Sequence, residues 1–183
     1  NVNLVSDKII TSENGIYTGG GAYSSVNLIL YLIEKTIGRE CSVYCSKIFQ
    51  VDLGRNSQSP FMIFKGQRKH ADQLVQKAQQ YIETHYAEKL TVDVLSDKLG
   101  LSRRTFERRF KRATANSPLT YLQRVRIEAA KNRLEEEGMT ISEIAYMVGY
   151  SDMKAFREVF KRLAGISPIE YRTKFCRSVK VVI

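Results

Sequence analysis

Two stretches of the chain carry charged side chains at the spacing that places them on one face of a helix. They recur at i, i+3, i+4 and i+7, as Arg104, Glu107, Arg108 and Lys111 in the first stretch and as Lys154, Arg157, Glu158 and Lys161 in the second. Arginine and lysine can donate hydrogen bonds to guanine O6 and N7, and glutamate can accept one from cytosine N4. A single face of this kind usually contacts only solvent, but two faces of the same pattern favour binding in the major groove of DNA.

Both faces belong to a segment that occurs twice in the chain. Residues 90–121 and 139–171 share a threonine, a glycine, a serine, two phenylalanines four residues apart and a Ser-Pro pair, in the same order. The offset is 49 residues before Ser102 and 50 residues after it, so the second copy has one extra residue near Ser151. An internal repeat of this length indicates two copies of one supersecondary unit.

Each copy predicts two helices joined by a tight turn. A threonine caps the first helix and a serine caps the second, namely Thr91 and Ser102 in one copy and Thr140 and Ser151 in the other. Gly100 and Gly149 lie where the first helix must end, because glycine adopts the left-handed conformation at low cost. The second helix is expected to bury an apolar stripe, consisting of Phe106, Phe110 and Ala113 or of Phe156, Phe160 and Leu163. Two such helices joined by a short turn with glycine form a helix-turn-helix.

Two further helices are predicted around the first copy. One begins near His70 and ends before Leu90, with an apolar stripe of Ala71, Leu74, Val75, Ala78 and Ile82. The other is a longer central helix between the copies, with Ser117 as its cap and Pro118 in its first turn. The apolar stripe of the central helix runs toward Leu134 through Leu122, Val125 and Ala129.

Residues 68–175 resemble the DNA-binding domain of the AraC-type transcriptional regulators. The resemblance rests on two sequences, LSRRTFERRFK at residues 101–111 and GISPIEYR at residues 165–172. It implies a mainly α fold of seven helices, in which the central helix holds two recognition helices apart so that both read one face of DNA. It also implies a sequence-specific transcriptional regulator, and activation is the common mode of that family.

The same resemblance assigns DNA contacts position by position. The residues expected to bind DNA are Ser102, Arg103, Arg104, Glu107, Arg108, Lys111, Met153, Lys154, Arg157 and Lys161. Base reading is expected of five of them, Arg104, Glu107, Arg108, Lys154 and Arg157. Met153 is expected to make an apolar contact.

One position differs between the two copies in a way that affects the backbone. Gly165 precedes Ile-Ser-Pro in the second copy, whereas Ala115 precedes Asn-Ser-Pro in the first. A left-handed conformation at Ala115 costs on the order of 1 kcal/mol, and Asn116 is the alternative residue for that conformation. The difference leaves the DNA-binding interpretation unchanged.

The charge of the chain agrees with a nucleic-acid partner. Residues 67–183 contain 23 Lys and Arg against 14 Asp and Glu, while residues 1–66 contain 6 against 5. The excess positive charge therefore lies in the repeat half, as binding to phosphates requires. The longest apolar run, Leu28–Ile33, is far shorter than the ~20 residues that cross a bilayer. We expect no membrane association, a cytoplasmic location and, because the chain does not begin with Met, a longer protein.

The first third of the chain is predicted to be a separate, small α/β unit. The expected division is 1–62 for this unit, 63–69 for a linker, 70–175 for the double helix-turn-helix domain and 176–183 for a tail. Short strands are expected at Val2–Val5 and Ile9–Ile10, a glycine-led helix over 22–38 and a second helix over 40–49. Alone, the unit is too short to bury a proper α/β core.

This small unit resembles the C-terminal tail of the class I glutamine amidotransferase-like (PfpI-type) domain that precedes the DNA-binding half in one AraC-type subgroup. The matching pieces are Asp7–Ser12, the glycine-led helix and an Arg-x-x-Gln-x-x-Phe sequence that ends at Phe61. By this resemblance the upstream domain senses a small-molecule effector or mediates dimerisation, and often lacks catalysis.

Other residues that could do chemistry are weaker candidates. Gly19–Gly21 could bind a phosphate before a helix, but a plain strand-to-helix turn is favoured, since no Gly-Lys-Ser/Thr sequence is present. Cys41 and Cys45 share a helix face, yet no further Cys or His lies nearby, so buried reduced thiols are favoured over a metal site. We expect no catalytic residue, no metal and no cofactor.

Two classes of function remain. The first is a transcriptional regulator, an activator by family resemblance, with double-stranded promoter DNA and RNA polymerase as its partners. The second is an amidotransferase- or hydrolase-type enzyme with the repeat half as an accessory. The enzyme would need a nucleophile and a general base in residues 1–66, and that segment contains no histidine. The sequence therefore favours the regulator.

Overall fold

The computed structural model describes residues 8–53 and 57–176 and divides the chain into two compact units, Asn1–Met62 and Ile63–Ile183. The strand predicted at Val2–Val5 lies outside the described residues. Within the described ranges, no helix has the length and apolar character needed to cross a membrane.

The described part of the first unit contains a β-hairpin, two α-helices and a short 3-10 helix, Ser59–Phe61. Strand β1 (Ile10–Glu13) pairs antiparallel with β2 (Ile16–Gly19), and helices α1 (Ser24–Thr36) and α2 (Arg39–Phe49) follow. The hairpin turn is Asn14–Gly15, whose φ angles of 51° and 80° are those of a type I′ turn. The prediction ended the strand at Ile10 and missed β2, although Asn-Gly is a strong hairpin signal.

Small polar side chains are buried on α1 and α2. Ser24, Asn27 and Ser42 are buried, and the Ser42 hydroxyl donates a 2.9 Å hydrogen bond to the carbonyl oxygen of Leu30. Large apolar side chains of the same unit are exposed, among them Ile16, Tyr23, Ile29, Ile37, Tyr44, Ile48 and Phe49. The described part of this unit therefore has a polar helix contact and an apolar surface.

Over residues 63–176 the second unit has seven helices, the number that the family resemblance implied. They are α3 (Gln73–His85), α4 (Val92–Lys98), α5 (Arg103–Thr114), α6 (Pro118–Leu134), α7 (Ile141–Met147), α8 (Met153–Ala164) and α9 (Pro168–Phe175). Helices α4–α5 and α7–α8 are the two helix-turn-helix pairs, and α6 is the central helix. The mainly α, double helix-turn-helix fold is confirmed.

Two helix starts differ from the prediction. Helix α3 begins at Gln73 rather than near His70, because the Asp72 carboxylate accepts the Val75 N–H at 3.2 Å and so caps the helix there. Helix α8 is capped by Asp152, not by Ser151. The Asp152 carboxylate accepts from the N–H of Lys154 at 2.9 Å and from that of Ala155 at 3.2 Å. The extra residue of the second copy thus moves the cap by one position.

Each helix-turn-helix pair has its own aromatic core. Phe106, Phe110 and Tyr121 pack edge to face in the first core, with ring centroids 5.6 and 5.4 Å apart. Phe156, Phe160 and Tyr171 repeat the arrangement in the second, at 5.7 and 5.6 Å. Ala113 and Leu163, predicted to be buried, are half-exposed, since the buried faces continue at i+8 through Thr114 and Ala164.

The central helix α6 contributes to both cores. Tyr121 and Leu122 belong to the first cluster, while Ile127, Ala130 and Leu134 belong to the second. The predicted single stripe through Leu122, Val125 and Ala129 was therefore wrong in detail: of these three only Leu122 is fully buried. A helix that packs against neighbours on two sides has no single apolar face.

The segment predicted to be a linker packs on the second unit. Phe64 lies edge-on against Tyr121 with ring centroids 5.2 Å apart, and Arg68 forms an ion pair with Glu83. Gly66 has φ +69°, and a Cβ atom there would lie only 2.6 Å from the Tyr121 hydroxyl. Tyr121 also donates to Glu83 at 2.5 Å, so residues 64–68 and α3 share one buried polar contact.

The repeat offers a reciprocal test of backbone strain. Ala115 ends α5 with φ 56° and Gly165 ends α8 with φ 76°, both left-handed. Because a Cβ is disfavoured in that region, Ala115→Gly should raise the free energy of unfolding by about 1 kcal/mol and Gly165→Ala should lower it by about 1 kcal/mol. Denaturant unfolding of both variants measures the two changes, and equal signs would contradict the explanation.

Candidate nucleic-acid interface

Helix α5 presents a basic face because its opposite face is fixed in the first core. Ser102 caps the helix by accepting the Thr105 N–H at 3.3 Å, directly after the turn at Gly100. Phe106 and Phe110 are fully buried, which leaves Arg104, Arg108 and Lys111 exposed on the other side. These three cations form no ion pair with the described part of the chain.

Arg109 differs from its neighbours because it anchors α5 to α3. Its guanidinium donates to both carboxylate oxygens of Asp72, at 3.0 Å from Nε and 2.8 Å from Nη2. This hydrogen-bonded contact lowers the pKa of Asp72. The two-point geometry fixes the rotation of α5 about its axis, and Arg109 is unavailable to a ligand on the opposite face.

Helix α8 repeats the arrangement of α5. Phe156 and Phe160 are fully buried in the second core, while Lys154, Arg157 and Lys161 are exposed. Arg162 donates a 2.7 Å hydrogen bond to Gln123 of the central helix. The second helix of each helix-turn-helix pair, α5 in one and α8 in the other, therefore carries an exposed cationic face.

Comparisons with known proteins identify this arrangement. The helix-turn-helix domain family matches residues 95–174. A putative AraC-like transcription regulator of Streptomyces lividans is 39% identical over 102 residues, which are 56% of this chain and 34% of that protein. The transcriptional activator RhaS of Escherichia coli is 34% identical over 92 residues, which are 50% of this chain and 33% of RhaS.

Among solved structures, the DNA-binding domain of the global transcriptional factor AdpA, in complex with a target DNA, is 32% identical with a TM-score of 0.53. The match covers 55% of this chain and 91% of that domain. Residues 95–174 therefore form a helix-turn-helix domain of the AraC type. The chain spans about a third of the length of the curated relatives that it matches.

The ten predicted DNA-binding residues lie on helix α5, on helix α8 and at Ser102, the N-terminal cap of α5. Eight of them are exposed, namely Ser102, Arg103, Arg104, Arg108, Lys111, Lys154, Arg157 and Lys161. Glu107 and Met153 are half-buried. Met153 packs against the second core, so only part of its side chain is accessible for an apolar contact.

Arg103 is held in place by two carboxylates of the AraC-type domain. Its guanidinium lies 3.2 Å from Asp93 Oδ2 on α4 and 3.4 Å from Glu107 Oε1 on α5. Exposed pairs of this kind are weak and easily exchanged for other partners. Asp93 was missed from the sequence, because the pair joins two helices across the turn and has no i, i+4 spacing to reveal it.

The cysteines of the first unit are not arranged as a metal site. Cys41 and Cys45 lie on α2 and are half-exposed, which corrects the prediction that they are buried. Desolvation and the neighbouring Cys41 raise the pKa of Cys45, which disfavours the thiolate that metals bind. The described residues contain no group of three or more His, Cys, Asp and Glu side chains that could hold a metal ion.

The exposed cations allow a direct test of base reading. Arg104→Ala and Arg157→Ala should each reduce discrimination between the preferred and a substituted base pair by about 1–3 kcal/mol, because a bidentate contact to guanine is lost. Fluorescence anisotropy with the preferred duplex and single-base variants measures this difference. Arg133→Ala is the control, since Arg133 lies on α6 and pairs only with Glu136 nearby. Equal discrimination in all four proteins would contradict a base-reading role.

The Asp72–Arg109 contact predicts a pH dependence of stability. Because the folded pKa of Asp72 is lowered, its stabilising effect is complete above the unfolded pKa of about 3.9 and is lost as the pH falls through the folded value. Asp72→Asn keeps a capping side chain but removes the charge. The variant should be less stable than the parent at pH 7, and the gap should close in acid. Thermal melts from pH 7 to pH 2.5 measure this; a constant gap would contradict it.

Proposed function

We propose that the protein is a sequence-specific DNA-binding transcriptional activator that reads two major-groove segments with α5 and α8. The observation that carries the proposal is the duplicated exposed basic face on two helices that occupy equivalent positions in the repeat. A single basic face is common on soluble proteins, but a helix-turn-helix presents its second helix to the major groove. Two such helices in one chain suit a ligand that repeats along its length.

The side chains fall into two roles under this proposal. Arg104, Arg108 and Arg157 can donate in pairs to guanine, and Glu107 can accept from cytosine. The lysines Lys111, Lys154 and Lys161 can neutralise phosphates wherever the helices rest, and Lys154 can also reach a base edge. The two recognised blocks are expected about one helical turn apart, ~34 Å or 10–10.5 base pairs. If the separation of the two helices is smaller, the DNA must bend.

The proposal for the whole protein includes an upstream sensor. The first unit is proposed to be the C-terminal tail of an amidotransferase-like domain that binds a small-molecule effector, and RNA polymerase is the proposed protein partner at the promoter. The sensor assignment rests on the resemblance of residues 1–62, and the activator role is suggested by the relative RhaS; both cited relatives are about three times as long as the matched segment. As a DNA-binding regulator it would act in the cytoplasm.

The packed segment at residues 64–68 offers a route from that sensor to the DNA-binding unit. Gln67 accepts from Gln79 through its carbonyl oxygen at 3.1 Å, and its side chain accepts from Asn116 at 3.2 Å. Asn116 lies in the turn that follows α5. Residues 64–68 are therefore fixed to the first helix-turn-helix within the second unit, and a signal that moves them is proposed to reach the first recognition helix.

The experiment that tests the proposal is retention of sheared genomic DNA by the purified chain at near-physiological salt, followed by sequencing. The expected result is a motif of two short blocks about one turn apart. Retention that falls steeply with salt but yields no motif would indicate phosphate binding alone, and would contradict sequence-specific reading. A promoter carrying the motif upstream of a reporter then distinguishes activation from repression.

A further inference from the structure

Arg126 lies on the central helix at the seam between the two helix-turn-helix pairs. Its Nε donates a 2.7 Å hydrogen bond to the carbonyl oxygen of Tyr86, and its Nη2 donates at 2.8 Å to that of Glu88. Both carbonyls belong to the connection between α3 and α4, which leads into the first helix-turn-helix. The guanidinium therefore holds the entry to the first pair from a helix that both pairs share.

The same guanidinium faces the turn of the second helix-turn-helix. Its carbon atom lies 5.4 Å from the centroid of the Tyr150 ring, and Tyr150 packs edge-on against Phe156 of the second recognition helix. A planar guanidinium donates to two carbonyls in a fixed fork while its face lies over an aromatic ring, whereas an ammonium is a compact charge without that fork. Arg126 thus contacts one element from each pair.

The backbones of the two pairs approach each other closely at this point. Gly149 has φ +90°, and a Cβ atom there would lie 2.7 Å from the Ala87 carbonyl oxygen and 2.9 Å from Arg126 Nη2. Tyr86, whose carbonyl oxygen accepts from Arg126, packs against both aromatic cores. No room remains for the two pairs to slide at this seam without breaking the Arg126 hydrogen bonds.

We propose that Arg126 is a positioning residue that sets the distance and rotation between the two recognition helices, and thereby the spacing between the two DNA blocks that the protein accepts. This inference rests on the proposed two-block reading. Arg126 need not touch a base: it acts by fixing how the first pair, α4–α5, stands relative to the second, α7–α8. The residue would then determine specificity for spacing rather than for sequence.

Spacing is a sharp readout, because one inserted base pair moves a block by about 3.4 Å along the helix axis and rotates it by about 35°. The probes are duplexes with the two selected blocks at the preferred spacing, at one base pair more and at one base pair fewer. Duplexes with a single block measure each pair alone at low salt. A role in general stability would weaken binding to all of these duplexes alike.

The variants are Arg126→Met, Arg126→Lys, Gly149→Ala and, as a matched control, Arg133→Met. Arg133 is an arginine of the same helix whose ion pair with Glu136 stays within one helical turn. Gly149→Ala keeps the arginine at position 126 but disturbs the same seam from the other side, since its Cβ atom would lie 2.9 Å from Arg126 Nη2. If Arg126→Met does not fold, Arg126→Lys and Gly149→Ala decide the question.

The parent and Arg133→Met should prefer the selected spacing over the shifted ones by about tenfold or more, the size of one mismatch penalty. Arg126→Met and Gly149→Ala should reduce this preference to about threefold or less while keeping the parent's affinity for single blocks, and Arg126→Lys should fall between. Retained spacing preference in the seam variants would overturn the role of Arg126. So would parallel loss of affinity for single blocks. A parent without any spacing preference would instead overturn the proposed two-block function.

Discussion

The arrangement of the second unit depends on one constraint: the central helix α6 must be buried by two cores at once. Its first half supplies Tyr121 and Leu122 to the first aromatic cluster, and its second half supplies Ile127, Ala130 and Leu134 to the other. Because protein cores are close-packed, a rotation of α6 that suited one cluster would disturb the second. The two recognition helices are therefore coupled through a rigid element, although they lie in separate copies of the repeat.

The tyrosines that close the two cores show how a polar group is accommodated in this design. Tyr121 donates to Glu83 and Tyr171 donates to Glu135 at 2.9 Å, so each phenol has an acceptor despite its burial. Burial, reinforced by the neighbouring carboxylate, raises the pKa of both phenols, which keeps them as protonated donors. Burying a polar group without a partner costs free energy. Each copy of the repeat avoids this cost with the same pair, a tyrosine donor and a glutamate acceptor.

Local rules of sequence predicted most of the fold. Caps, glycine stops, and apolar and phenylalanine spacing located helices α3 to α8 of the second unit, since these signals lie within a few residues of the element that they specify, whereas α9 was expected only from the family resemblance. Several of the errors have tertiary causes. The buried positions of α6 could not be assigned from a single helical period, because two cores share this helix. Asp93 and Asp72 were missed because their arginine partners lie on other helices. Asp152 took the place of Ser151 because a one-residue insertion leaves two candidate caps side by side.

The one-residue insertion near Ser151 also makes the charge differ between the two copies. Helix α5 starts at the neutral Ser102, so the positive end of its dipole, roughly half an elementary charge, is added to the charge of Arg104, while Arg103 is paired with Asp93 and Glu107. Helix α8 starts at Asp152, whose carboxylate accepts two of the first backbone N–H groups and offsets that charge. The cap of α8 is thus a carboxylate, whereas the cap of α5 is an uncharged hydroxyl. Helices α5 and α8, although equivalent in the repeat, thus differ in charge at their N-terminal ends.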